Sequence, residues 1–534
     1  MIARKSALIV ISQFFVRFLG WIGLLVLAKC WGGFAPEALG IIGFAMAFIG
    51  LFSIIGDLGF GSAHVKRISE GKDLGACIGT FATIKLVLTT CMLLAVLIAI
   101  FIWKQVFHEG FYDATTEPVI FIFIMYCVFS NLQQITTLTF NGRGEIAKLQ
   151  ITSMFEIFVK VPLIILVVLA GVSYAHIAPA IHWPQVFQPF QEFLAKHAVG
   201  SLATAYLLGI IISTLVGFWL LRKYPLKKPS WELSKSYFSF AFPILITSVI
   251  VTLSTNIDKI MIGYFWTSTE VGYYYSVQQI LLIILILNSA IATVLFPTFS
   301  EYHKDKNFEK INKITLMAER YISMVMIPIA VVLILFVNSI INIMLNSSFL
   351  PAASVLITLT FFAVITSFMG PCSSLIIGLN RPGIAAKIGL VVCITNIVLN
   401  YFFIPQWGLL TPLGINGPTG AAIATLISTV VGLFGFKIMA KKLTGIPLLQ
   451  RHTLYHIIGS LLMACVLVYL NILIPAVRWY QLLVFAALGL VVYISVLFVL
   501  KEFKKQDFYF FLDIVRPKEM LSYIKSELKE DVKK

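Results

Sequence analysis

The sequence predicts an all-α, polytopic integral membrane protein. It should have about fourteen transmembrane helices, arranged as two related six-helix bundles followed by two further helices. Three observations predict this. Of 534 residues, 59% are hydrophobic and only 12% charged, with a mean hydropathy of +0.95. The apolar residues gather in runs of about 20, the length a helix needs to cross a hydrocarbon layer ~30 Å thick. Two pairs of segments also recur at nearly one offset. Asn141-Gly-Arg-Gly-Glu-Ile-Ala-Lys148 and Asn380-Arg-Pro-Gly-Ile-Ala-Ala-Lys387 share N-x-x-G-x-x-A-K, 239 residues apart. Trp31–Gly40 resembles Trp266–Gly272, 235 residues apart.

The runs fall near 7–30, 40–60, 78–103, 118–140, 150–172, 199–221, 237–265, 271–296, 318–337, 353–378, 384–404, 417–439, 456–474 and 480–500. The first run is too long for a signal peptide and contains Arg17, so it is expected to stay as a membrane helix. The repeat places a six-helix bundle in 1–225 and another in 230–450. Two appended helices follow in 451–500, and 501–534 forms an amphipathic tail. Six is even, so both bundles enter the membrane in the same direction. An axis along the membrane normal should relate them, as in transporters built from parallel repeats.

The formal charge is +16. It fits a membrane better than nucleic acid, because Lys and Arg concentrate in one set of alternate loops, from Arg4 and Lys5 through Arg222–Lys228 to Lys441, Lys442 and Arg451. The other set holds only Lys104, Lys196 and Arg478. The positive-inside rule then puts both termini in the cytoplasm. The largest external loop, 173–198, carries Trp183, Phe187, Phe190 and Phe193 among polar residues, which suggests a helix lying on the membrane surface. His176, His182 and His197 in that loop match no usual metal-ligand spacing, and no metal or cofactor is expected. All seven cysteines lie in or at the edges of apolar runs, without CxxC, and read as small buried residues.

The most informative stretch is Ser248–Gln279. Ser248, Thr252, Thr255 and Lys259 recur at spacings that line one helical face, and Asp258 stands beside Lys259. Each ion inside a span costs roughly 2.5–3.5 kcal/mol on insertion scales, so such a face should look at protein or a water-filled cavity.

Asn256-Ile-Asp-Lys-Ile-Met-Ile-Gly263 and the residues to Ile280 resemble the start of the second bundle in lipid-linked oligosaccharide flippases of the Wzx or RfbX type. These belong to the multidrug/oligosaccharidyl-lipid/polysaccharide exporter superfamily. Asp57-Leu-Gly-Phe-Gly-Ser-Ala63, Asn380-Arg-Pro-Gly383 and Asn396–Ala422 fit the same pattern, and Tyr523–Leu528 resembles archaeal members. The resemblance covers nearly the whole chain. It implies a two-lobed, non-enzymatic exporter in the plasma membrane that moves an isoprenoid-(di)phosphate-linked oligosaccharide by alternating access.

Such a substrate needs cations at membrane depth for its phosphate and polar groups for its sugars. Arg17, Lys85, Lys160 and Lys259 are the candidate headgroup-binding residues. Asp57, Glu156 and Asp258 are candidates for ion pairing or for a coupling H+ or Na+. Glu156 and Lys160 stand one turn apart, as an ion pair would. Lys85 can also snorkel, and the pairs can be purely structural. Asn131, Gln133, Gln134, Gln278, Gln279, Asn288, Asn396 and Asn400 could meet sugars or bond neighbouring helices. The nearest alternative is a cation-coupled multidrug exporter of the same superfamily. Such exporters commonly keep an acid in the first helix, whereas here it carries Arg17. A membrane glycosyltransferase or polymerase is a further alternative, but no large acidic or Arg-rich external loop occurs. No Gly-x-Ser-x-Gly, His-Glu-x-x-His or P-loop motif occurs either.

Overall fold

The structure, a computed structural model, describes residues 2–105, 114–304, 306–448, 450–475, 477–504 and 507. In chain order the helices are α1 (Ile2–Trp31), α2 (Ala35–Asp57), α3 (Phe60–Ser69), α4 (Leu74–Gln105), α5 (Thr116–Arg143), α6 (Ile146–Leu169), α7 (Gln188–Lys196), α8 (Ala198–Leu221) and α9 (Trp231–Phe265). They continue with α10 (Ser268–Lys304), α11 (Phe308–Leu335), α12 (Val337–Met344), α13 (Ala353–Gly378), α14 (Pro382–Phe403), α15 (Gly417–Thr444), α16 (Arg451–Leu473) and α17 (Trp479–Val499). Each expected apolar run falls on one long helix. Among the described residues twelve stretches are long and apolar enough to cross a membrane, the first of which, Ser12–Asp57, holds both α1 and α2. That is close to the fourteen expected. Most of the tail 501–534 lies outside the described residues, including Tyr523–Leu528.

The chain divides into two compact units. One comprises 14–276 with 397–421. Here α8 packs on α5 and α6, while α2 packs on α4, α5 and α9. α2 stops at Asp57 because Leu58 and Gly59 both take left-handed backbone (φ 46° and 84°), which favours glycine. A Cβ at Gly59 would lie 2.9 Å from the Ala241 carbonyl oxygen, so this turn also lets α9 come close. Phe60, Ala63, Phe81, Ile135, Tyr237 and Ala241 form the core beside it. Within that core His64 is fully buried. Its Nδ1 is 3.0 Å from Tyr237 Oη, its Nε2 is 2.9 Å from Thr139 Oγ1, and its ring stacks on Phe81.

The two repeated segments of this unit make matching contacts. The indole of Trp31 donates to Val168 O at the end of α6 (3.1 Å). The indole of Trp266 donates to Ile404 O just past the end of α14 (2.7 Å). At the starts of α2 and α10, Gly40 lies against the Ser268 carbonyl and Gly272 lies against the Pro36 carbonyl. In each case the partner carbonyl sits four residues before the other glycine. The contact is therefore reciprocal, the signature of a local two-fold axis.

The second unit comprises 1–13, 277–396 and 422–534. α11 packs on α13 and α16, and α16 on α17. Leu295, Phe299, Ile311, Cys372, Leu375 and Phe436 are among its core residues. Glu319 on α11 is buried and accepts hydrogen bonds from Lys437 Nζ (2.5 Å), Gln450 Nε2 and Cys372 Sγ (3.4 Å). Next to it Arg320 holds the segment after α17. Its guanidinium donates to Glu502 Oε1 (2.5 Å) and to both Asp507 oxygens (2.9 and 2.8 Å), while His452 Nδ1 lies 2.7 Å from Glu502 Oε2. Burial raises the Asp507 carboxyl, but the bonds from Arg320, Lys504 N and Tyr321 outweigh it and bring it down to about 2.

Candidate functional site

Asp258 and Lys259 are adjacent in sequence but point about 100° apart around the helix. Asp258 is buried and accepts from Tyr274 Oη of α10 and Asn400 Nδ2 of α14, both at 2.6 Å. Lys259, 8% exposed, donates to the Thr255 carbonyl of its own helix at 2.7 Å. The polar face expected on α9 is present and graded. Ser248 and Thr252 are half-buried and Thr255 is exposed. Asn256 stands against Gly50 of α2, where a Cβ would lie 3.0 Å from its side-chain oxygen.

Glu156 and Lys160 on α6 form the expected pair, Nζ to Oε1 3.3 Å, both partly open at 20% and 17% exposure. The pair sits among tyrosines. Tyr126 Oη donates to Glu156 Oε1 (3.2 Å), and Lys160 Nζ lies 4.8 Å from the centroid of the Tyr206 ring. A carboxylate, an amine and two phenols thus share one polar cluster built from α5, α6 and α8. It offers donors and acceptors at membrane depth without a stranded charge. Sequence reading found Glu156 and Lys160 but missed the tyrosines. Their signal was weak, because phenols in apolar runs also serve as ordinary core.

Arg17 is exposed and makes no hydrogen bond or ion pair among the described residues. It shares a face of α1 with Gln13, Leu24 and Ala28. Leu24 and Ala28 are buried, whereas Gln13 and Arg17 are open, so this face is covered at one end of the helix and uncovered at the other.

Lys85 is fully buried on α4. Its ammonium donates to Gly56 O (2.8 Å), Asp57 Oδ1 (3.0 Å) and Gln134 Oε1 (2.6 Å). All three protons of the cation are therefore engaged, and Asp57, 34% exposed, is the member that reaches the surface. The trio fastens the broken end of α2 to α4 and α5. The structure thus brings Asp57 together with Lys85 and Glu156 with Lys160, and leaves Arg17 outside both clusters.

The loop 173–198 holds α7 as an amphipathic helix. Leu194 and Ala195 are buried, and Gln191 bonds Ile181 O (2.7 Å) and Trp183 N (3.1 Å). Val186, Phe187, Phe190 and Phe193 are exposed. Backbone bonds from Ala180 N to Leu169 O and from Ser173 N to Ala195 O pin the loop to the end of α6. The aromatic face therefore stands where a membrane span ends. His176, His182 and His197 are all exposed.

Comparison with known proteins agrees with this architecture. The sequence profile of the family described as polysaccharide biosynthesis protein matches residues 2–303, and that of the MatE family matches 243–402. A protein of Haloferax volcanii named "Probable low-salt glycan biosynthesis flippase Agl15" is 22% identical over 513 residues, covering 95% of this chain and 98% of the relative. "Probable flippase AglR" of the same organism is 27% identical over 194 residues, 36% of this chain and 39% of that one. Among solved structures, "Lipid II flippase MurJ, inward closed conformation" superposes with a TM-score of 0.69 at 18% identity, covering 95% of this chain and 99% of that one. An inward-facing multidrug resistance MATE family transporter superposes at 0.60 and 17% identity, covering 81% and 94%. These likenesses show the fold. The profile spans more than half of the sequence, and the chain belongs to the polysaccharide biosynthesis protein family.

Proposed function

We propose that the protein is a flippase that carries an isoprenoid-(di)phosphate-linked oligosaccharide from the cytoplasmic to the outer leaflet by alternating access, as a step in surface glycan assembly. The observation that carries this reading is family membership joined to end-to-end similarity with a glycan-biosynthesis flippase. The site supports it. Arg17 is an open cation on the first helix, suited to a phosphate, and the Glu156–Lys160–tyrosine cluster offers hydrogen bonds to sugar hydroxyls. In this reading Arg17, Lys160 and Lys259 approach the headgroup, while Lys85 supports the fold beneath them. Asp57, Glu156 and Asp258 are the candidates for a coupling H+ or Na+. The working halves are the bundles 1–225 and 230–450, with 451–500 and the tail 501–534 appended. The protein lies in the plasma membrane with both termini cytoplasmic and does no covalent chemistry.

A multidrug exporter is the second reading, favoured by the MatE match over 243–402. Against it stands α1, which has no Asp or Glu to hold a cationic drug or a coupling ion. Deleting the gene separates the two. The flippase reading expects lipid-linked glycan to accumulate on the cytoplasmic side while surface glycan falls. Unchanged glycan pools with new sensitivity to cationic drugs reverse the assignment, and absent or truncated lipid-linked glycan makes the protein an enzyme of the same route.

A further inference from the structure

The connection between α8 and α9 is held as a strap. Residues 222–230 read Arg-Lys-Tyr-Pro-Leu-Lys-Lys-Pro-Ser. Pro225 and Pro229 lack an N–H and push the residue before each towards extended backbone, so no helix forms between them. The strap lies across the start of α4. Lys227 N donates to Gly75 O (3.2 Å), Ser230 N to Thr80 Oγ1 (3.0 Å) and Lys227 Nζ to Asp73 Oδ2 (2.7 Å). A Cβ on Gly79 would lie 1.9 Å from Lys227 O, so a bare backbone on α4 is what admits it.

Two observations set its depth. The apolar run of α4 begins near residue 78, and the strap crosses α4 at 75–80, where that span starts. On α8, Leu208, Ile212, Leu215 and Trp219 are exposed at helical spacing. This apolar stripe runs directly into Arg222, whose guanidinium carbon lies 4.9 Å from the centroid of the Trp219 ring. The strap therefore stands where acyl chains give way to headgroups. What it presents there is both apolar and basic. Leu226 is 73% exposed, and Trp231, the first residue of α9, is 83% exposed. Arg222, Lys223 and Lys228 are exposed and make no hydrogen bond or ion pair among the described residues. The nearby Asp73 is already engaged by Lys227 and by the Ala76 N–H, and Glu232 follows only in the first turn of α9.

From this geometry we infer that the strap is an anionic-lipid site, which docks the α8–α9 connection on the leaflet beside it. Leu226 and Trp231 enter the acyl region, and Arg222, Lys223 and Lys228 take lipid phosphates. Charge complementarity selects the lipid, since zwitterionic headgroups offer these cations no net opposite charge. The fixed backbone matters too, because a strap already ordered on α4 loses little freedom when lipid binds.

The test places a photoreactive probe on the strap, Leu226→p-benzoylphenylalanine, in the full chain. The protein is reconstituted in vesicles of equal parts phosphatidylcholine and phosphatidylglycerol and illuminated. Mass spectrometry then identifies the lipid attached to that peptide. The same probe in place of Leu208, on the exposed stripe of α8, reads the ordinary lipid shell. At 226 phosphatidylglycerol should exceed phosphatidylcholine at least about fivefold, the effect of a single cation near an anionic surface, and at 208 the two should be even. Changing Arg222, Lys223 and Lys228 together to Gln should bring 226 to the even ratio while lipid is still captured. An even ratio at 226 with the three cations present overturns the anionic site. Capture of protein alone at 226 overturns docking on the bilayer and points to a protein partner. Enrichment that survives the triple substitution removes the cations from the site. If the triple variant does not fold, added salt decides on the unsubstituted cations. Enrichment must fall as the charges are screened, and salt-independent enrichment rejects the site. Symmetric vesicles carry the same lipids on both faces, so neither the orientation nor the cargo enters the result.

Discussion

Lys85→Met tests whether the buried lysine supports the fold or handles substrate. Methionine keeps the unbranched length and removes the charge. The wild-type ammonium satisfies Gly56 O, Asp57 Oδ1 and Gln134 Oε1 from a position with no exposure. Hydrogen bonds to charged groups contribute about 1.5–3 kcal/mol each, and breaking a fully buried pair costs about 3–5 kcal/mol. Asp57 is 34% exposed and can turn to solvent, so the lower part of that range applies, about 3 kcal/mol. That is several times the ~0.6 kcal/mol average for an interhelical hydrogen bond in a membrane protein. Asp57→Asn should cost only about 1 kcal/mol, because the lysine keeps its two other acceptors. Denaturant titration of the purified protein in detergent, followed by helix content, reads both values, and flipping is measured on the same preparations. Lys85→Met should lose stability and flipping together. Wild-type stability with abolished flipping would instead make Lys85 a headgroup ligand.

Three further outcomes follow from the same geometry. Arg17→Ala should leave the unfolding midpoint within about 0.5 kcal/mol of wild type, as for an unpartnered surface residue. It should nevertheless reduce flipping at least tenfold, and a stable variant with full activity removes Arg17 from the path. The Arg320–Asp507 clasp should be pH-dependent in one direction. Asp507 titrates at about 2 against an ordinary 3.8, so its stabilising contribution is complete above about pH 4 and is lost as pH falls from there towards 2. Thermal melting of wild type and Asp507→Asn should differ at pH 6 and converge near pH 2, and an equal gap at both contradicts the clasp. Spin labels at Phe187 and Phe190 should be more accessible to oxygen than to a water-soluble relaxant in liposomes. The reverse order would place α7 in water, away from the lipid surface.

The long helices were legible because runs of about 20 apolar residues have few alternatives. α3 was harder to see, being short and amphipathic with His64 buried inside it. The intramembrane charges were visible, but their partners were not. Asp258 beside Lys259 was visible in the sequence, but the bonds that Asp258 accepts from Tyr274 and Asn400, 16 and 142 residues away, were not. Glu319 escaped notice altogether. It stands at the edge of an apolar run, and its partners Cys372, Lys437 and Gln450 are 53, 118 and 131 residues away. The repeat was readable from two short matches, but the reciprocity of Gly40 and Gly272 belongs to packing. No single segment encodes a close approach between two helix starts that are more than 200 residues apart.

Reconstitution shows directly whether the protein moves a lipid-linked glycan. Purified protein is placed in liposomes carrying a fluorescent lipid-linked oligosaccharide in both leaflets, and a glycosidase added outside removes the exposed glycan. Without protein, digestion should stop at about half, the share that faces outward in a symmetric bilayer. With wild-type protein digestion should approach completion, and with Arg17→Ala it should return towards half. Digestion halted at half with active, folded protein, alongside uptake or release of a cationic dye by the same vesicles, would contradict the flippase reading.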